Sequence, residues 1–163
     1  ASRVSCERSP ILQDCRMMTL SQQIYKAVSV KRPSCLLTEG VEYTPAELID
    51  YLLHPRGIEH ALDTGFPSMK LLDEHRDDLA GLPVTLLSDV AASVLSVGGG
   101  AYLVAGAGDV TIYANGAEEG ATSLLLMHGV HANIIARGNS VVAIHADGSC
   151  DVQVQTLDTA IIL

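Results

Sequence analysis

The chain has 163 residues, a formal net charge of −9, 48% hydrophobic residues and only 18% charged ones. A chain this apolar is not disordered and is long enough for one domain or two small ones, while its acidity argues against a phosphate-binding nucleic-acid surface and against anionic membranes. With 14 Gly, one Phe and no Trp, the core must be built from Val, Ile, Leu and Ala, which points to a repetitive β structure.

The first 18 residues, through Met17-Met18, show neither periodicity nor an apolar face. They read as an extended arm that orders against something else, with a disordered tail as the alternative. The first 30 residues lack the apolar core of a secretory signal, so an intracellular origin is expected. Thr19-Leu20-Ser21-Gln22 is a capping box opening a helix over 20–30. Thr44-Pro45-Ala46-Glu47 repeats the device with Pro at the first helical position. Leu48, Tyr51 and Leu52 then share one face, and that helix stops at His54, before Pro55. A third helix runs over 56–64 and ends at Gly65. A fourth opens at Pro67-Ser68, carries Met69, Leu71, Leu72 and Leu79, and closes at Gly81 with Pro83 just beyond.

Charge marks a boundary near Pro83. Residues 1–89 carry nine Lys/Arg and 13 Asp/Glu, whereas residues 90–163 carry Arg137 alone and six Asp/Glu. The expected organisation is an arm over 1–18, a helical segment over 19–83 and a β domain over 84–163. Val90 to Gly108 is uncharged for 19 residues, nearly the length of a membrane span. Its serines and its Gly98-Gly99-Gly100 run read as strand and turn instead.

The β domain repeats with a period of ten. Tyr102, Val104, Gly106; Ile112, Ala114, Gly116; Thr122, Leu124, Leu126; Ala132, Ile134, Ala136; Val142, Ile144, Ala146; and Val152, Val154, Thr156 hold the same places in successive decades, and Ile162 starts a seventh. Turn residues separate them, among them Gly108-Asp109, Glu118-Glu119-Gly120, Gly138-Asn139-Ser140 and Gly148-Ser149. Alternation places these trios on a dry inner face, and Thr111, Tyr113, Asn115, Ala143, His145, Asp147, Gln153 and Gln155 on the other. The fold class expected is α+β: short N-terminal helices followed by a parallel β-solenoid of about six to seven ten-residue strand-turn repeats, with an antiparallel β-sandwich as the alternative. The small residue at Gly106, Gly116, Ala136 and Ala146 suits a narrow coil corner and favours the solenoid.

The run from Ile134 to Ser149, with Ala136-Arg137-Gly138-Asn139-Ser140 and Ala146-Asp147-Gly148-Ser149 at its heart, resembles the V-x-A-x-G-N-S type arrays of decapeptide-repeat β-solenoid proteins from gut bacteria and their bacteriophages. Arg56 to Leu62 and Gly65-Phe66-Pro67-Ser68 are similar to the segment preceding such arrays. The resemblance covers about residues 56 to 163 and implies the fold. Because the group occurs in phages, it also implies a virion role, located in the particle or in the host cytoplasm during assembly.

The signals for chemistry are sparse. Cys6, Cys15, Cys35 and Cys150 form no C-x-x-C pair and read as idle thiols. His128, His131 and His145 are weak metal candidates without a cysteine pattern or a nearby carboxylate, so no metal and no cofactor is expected. The glycine runs lack the Lys-Ser/Thr of a phosphate loop, and the turn aspartates Asp147, Asp151 and Asp158 have no aromatic platform beside them for sugar cleavage. No catalytic residue is assigned. Leu124-Leu125-Leu126-Met127 is apolar on both faces and should be buried on both sides, against a helix or a partner chain. Ala160-Ile161-Ile162-Leu163 should be buried in a final coil or a subunit contact. Leu124, Leu126, Met127, Ile161, Ile162 and Leu163 are therefore the expected interface. The sequence supports a non-enzymatic structural or assembly protein, as a homo-oligomer or joined to other structural proteins through its arm and C-terminal end. An adhesin-like ligand-binding solenoid and an enzyme of unknown type are the alternatives.

Overall fold

The computed structural model describes residues 44–87, 92–115 and 121–163, so the expected arm, the helix over 20–30, Gly116 and the Glu118-Glu119-Gly120 turn lie outside the described residues. The chain divides into two compact units, Ala1–Leu48 and Ile49–Leu163. Helix α1 spans Pro45–Leu53. Its capping box is complete: the Thr44 hydroxyl accepts from the Glu47 N–H at 3.2 Å and the Glu47 carboxylate accepts from the Thr44 N–H at 3.3 Å. His54 sits before a proline, which holds it extended at ψ 147°, and it caps the next helix, α2 (Pro55–Thr64). Helix α2 closes at Gly65 in the left-handed conformation.

The third described helix is shorter than the apolar pattern predicts. Capped by the Ser68 hydroxyl, which accepts from the Leu71 N–H, α3 runs only over Met69–Glu74 before turns lead to Gly81. Asp73, Glu74, Asp77 and Asp78 crowd its C-terminal side, where the helix dipole disfavours negative charge. Leu79 is nevertheless buried, as its place in the pattern requires.

Nine strands follow among the described residues: β1 (Val84–Leu86), β2 (Ser93–Val97), β3 (Gly100–Ala105), β4 (Gly108–Ala114), β5 (Thr122–Met127), β6 (Val130–Ala136), β7 (Val141–Ala146), β8 (Asp151–Thr156) and β9 (Ile161–Ile162). They form two sheets, β1-β3-β5-β7-β9 (sheet A) and β2-β4-β6-β8 (sheet B), and every pairing is parallel. Consecutive strands thus alternate between sheets, and the chain winds a parallel β-solenoid of about four coils. The antiparallel sandwich is ruled out by the pairing.

The ten-residue period marks single strands, and a coil consumes two of them. Thr122 lies beside Val142 and His131 beside Asp151, twenty residues on in each case. The coils are not uniform, since Gly100 lies beside Thr122 and Val94 beside Thr111. The seven expected strand-turn units, β3 to β9, are therefore laid two to a coil, because a single six-residue strand cannot close a turn around an apolar interior.

Nine of the expected inward residues are buried together, whereas Ala146, Val154 and Thr156 are exposed. Val104, Ile112, Ala114, Leu124, Leu126, Ala132, Ile134, Ala136 and Val142 form one buried core between the sheets. Burying a Leu or Ile here contributes about 1.5–3 kcal/mol. Gly106 turns a corner at φ 116°, and a Cβ there would stand 2.7 Å from the Leu87 carbonyl oxygen of the coil before. Both constraints oppose any side chain. Gly106→Ala should cost about 2 kcal/mol or more in urea unfolding; an unchanged midpoint would show that the corner relaxes freely.

Candidate functional site

Strand ladders leave the corner N–H groups without partners, and the next coil supplies them. The Thr122 hydroxyl accepts from the Gly99 N–H at 3.1 Å. Asp147 accepts from the His128 N–H at 2.9 Å, the Ser149 hydroxyl from the Gly129 N–H at 2.9 Å, and Asp158 from the Gly138 N–H at 3.1 Å. The Thr159 hydroxyl returns a bond to the Gly138 carbonyl at 3.2 Å. Each corner is lashed to the one after it.

The densest polar cluster is such a corner. Besides the His128 N–H, Asp147 accepts from the Ser149 N–H, the Ser149 hydroxyl and the Cys150 thiol. Partial burial pushes the Asp147 carboxyl up, but the hydrogen bonds from Ser149, His128 and Cys150 outweigh it and hold the carboxyl below its ordinary range. Burial, and then the adjoining Asp147 carboxylate, push the Cys150 thiol up. A thiol whose pKa is raised, donating to a carboxylate committed to four donors, fastens this corner.

The three histidines are dispersed. His128 stands at the β5–β6 corner at φ 64°, and its Nε2–H donates to the Pro67 carbonyl at 2.5 Å, which fixes its tautomer. His131 is exposed on sheet B, its Nδ1 3.9 Å from Asp151, while His145 lies on sheet A beside Leu125. Among the described residues, no group of three or more His, Cys, Asp or Glu is arranged to hold a metal ion. No described helix is long and apolar enough to cross a membrane.

The two outer faces differ. On sheet A, Leu103, Ala105, Leu125 and Met127 alternate with the inward residues yet have no accessible surface. Helix α2 packs on β7, and the His128–Pro67 bond ties the helical segment to this side. Leu124 and Leu126 fill the interior. Leu124, Leu126 and Met127, expected at a subunit interface, are thus fully covered within the chain.

Sheet B turns polar rows outward. Thr111, Asn133 and Gln153 form one row and Tyr113, Ile135 and Gln155 the next. Arg137 lies over the Tyr113 ring at 4.9 Å while its Nε donates to Asn115 at 2.8 Å, so the one guanidinium of the β domain is turned towards the preceding coil. The sequence places these residues on the outer face but gives no sign of the Arg137 contacts, which need the coil register.

The last coil is open. β8 pairs only with β6 and β9 only with β7, and no strand follows either among the described residues. Ile112 and Ile134 are 0% exposed, but Val154, next in the same inward row, is 42% exposed. Ile161 and Leu163, expected to be covered by a final coil or by a subunit contact, are 53% and 72% exposed in the chain itself, while Ile162 is partly covered. Their main chain is held, with the Ile161 N–H on the Ser140 carbonyl and the Leu163 N–H on the Val142 carbonyl. Only the side chains lack cover.

Fold and surfaces together define a two-sheet parallel β-solenoid with a helical cover on one face and an open final coil. No protein-family model matches the chain, and no curated protein or solved structure matches it.

The Asp147 fastening carries a pH signature. A carboxyl held below its unfolded value contributes stability that is present above the unfolded pKa and lost as pH falls through the folded one. Asp147→Asn should cost about 1–3 kcal/mol near pH 7, and the deficit should shrink well below about pH 4, where both proteins are neutral at this site. Urea unfolding at pH 7 and pH 3 measures it; a deficit constant across that range would remove the charge from the explanation.

Proposed function

We propose that this chain is a non-enzymatic structural or assembly protein, and specifically a bacteriophage virion component, in the tail, a head decoration or a similar position. The assembly reading is carried by the parallel stacking of the coils, in which every described strand pairing runs between neighbouring coils. A stacked solenoid also supplies rigid surface, which suits a part that is built in. The partners are further copies of the chain or other structural proteins, reached through the C-terminal end and the N-terminal arm. The virion assignment is supported by the resemblance of residues 134–149 to phage-borne decapeptide arrays.

An adhesin-like binding module is the second reading, favoured by the exposed Asn133, Gln153 and Gln155 on sheet B. Location separates the two. Mass spectrometry of purified particles and of washed host cells should find the protein at stoichiometric level in the particles. Its absence from particles and presence on the cell surface would overturn the virion reading in favour of the adhesin. Sedimentation of the chain alone as a compact monomer at micromolar concentration would remove self-association and leave other structural proteins as partners.

A further inference from the structure

The β5–β6 corner places a histidine where the fold asks for glycine. His128 stands at φ 64°, in the left-handed region that strains a residue with a Cβ. One coil earlier the same place, directly after Ala105 beside Met127, is held by Gly106. The strain at His128 is matched by what its ring does: Nε2–H reaches the Pro67 carbonyl at 2.5 Å, 61 residues away in the chain. The corner behind the ring is firmly mounted, since the next coil holds its N–H through Asp147 and the Gly129 N–H through Ser149. What the ring grips is held less well. Phe66 to Ala80 runs between Gly65 at φ 70° and Gly81 at φ 80°, each with open space where a side chain would begin. Leu71, Leu72 and Leu79 are buried, but the pairs Lys70–Glu74 and Arg76–Asp73 join exposed side chains within the segment and hold it to nothing else. Among the described residues, its hydrogen bond to the solenoid is the one from His128.

We propose that Phe66 to Ala80 is a strap, hinged at Gly65 and Gly81 and latched by His128, that swings off sheet A as a unit while the coils stay stacked. The inference goes beyond the assembly reading and does not rest on it. Left-handed glycines at both ends let the chain turn there without disturbing α2 or β1. A few leucines and one latch are sparse anchorage for a segment of this length, which puts the strap at the low end of local stability, whereas the strands of the inner coils are paired on both sides. Met127, the residue before the latch, alternates away from the interior with Leu125 and yet has no accessible surface. The open strap uncovers this end of sheet A. Glycine at position 128 would suit the corner better, so the histidine marks the latch.

Hydrogen exchange on the full chain tests the strap. In the unaltered protein the amides of Leu72, His75 and Leu79, bonded within the strap, should open together with one shared urea dependence, about a hundredfold more often than those of Ile112 and Ile134 in sheet B. His128→Gly removes the ring and relieves the backbone, so strap exchange should rise about tenfold, the worth of one hydrogen bond, with Ile112 and Ile134 no faster. Oxidation of Met127 by peroxide, located by mass spectrometry, should quicken with it. His128→Gln keeps an N–H within reach of the Pro67 carbonyl and should hold strap exchange near that of the unaltered chain. Strap and strand amides rising together in His128→Gly would show that the ring supports the whole fold and overturn the proposal. So would strap exchange that does not change, a glutamine variant as fast as the glycine one, or Met127 unchanged while the strap opens. Both variants are read on the isolated chain, so the result stands apart from whether the protein is found in particles.

Discussion

Everything in the β domain depends on each coil satisfying the backbone of the coil beside it. Strands in a two-sheet solenoid pair only with strands about twenty residues away in sequence, so no hairpin closes locally and no coil is complete by itself. The straight stretches pair through their ladders, but the corners cannot. Asp147, Ser149, Asp158 and Thr122 take over there, each reaching from one coil to a corner N–H of the preceding one. A buried or half-buried N–H without a partner would cost about 1–3 kcal/mol. The short polar side chains at the corners thus belong to the framework, as the aliphatic rows do.

The same framework explains the uneven composition. Inside the coil there is room for Val, Ile, Leu and Ala in rows, and Gly106 marks where even a methyl group is too much. Outside, sheet A buries Leu103, Ala105, Leu125 and Met127 and has helix α2 packed on β7, whereas sheet B faces water with Thr, Asn and Gln. Charge is therefore concentrated where helices meet solvent and scarce where strands stack.

Local chemistry was legible and pairing was not. The Thr44–Glu47 box, the proline after His54 and the glycine after Thr64 each act within four residues, so the ends of α1 and α2 follow from them directly. Helix α3 stops early because its carboxylates oppose the dipole that its apolar pattern ignores. Period-two alternation assigned the inner and outer faces from β3 to β7, yet it is blind to which strand lies beside which: residues ten apart look equivalent and lie in opposite sheets. β1 and β2 were not delimited, since they precede the regular decades and Val94 points an aliphatic side chain to solvent. Leu125 and Met127 announced burial without announcing what covers them. The Asp147 fastening left a faint trace, a polar residue recurring near each turn, whose meaning depends on the coil length.

An array in which each unit is held only by its neighbours also has a direction of wear. The inner coils have a coil on either side, while among the described residues β1 and β2 at one end and β8 and β9 at the other have one neighbour each. In such one-dimensional stacks the loss of structure spreads from the weakest end rather than through a single global event. Opening of β8 and β9 leaves the next pair of strands as a new edge of the same kind, with Ile134 uncovered in place of Val154. A stack of this kind gives way by whole coils from an edge inward, and the coils behind that edge keep their fold.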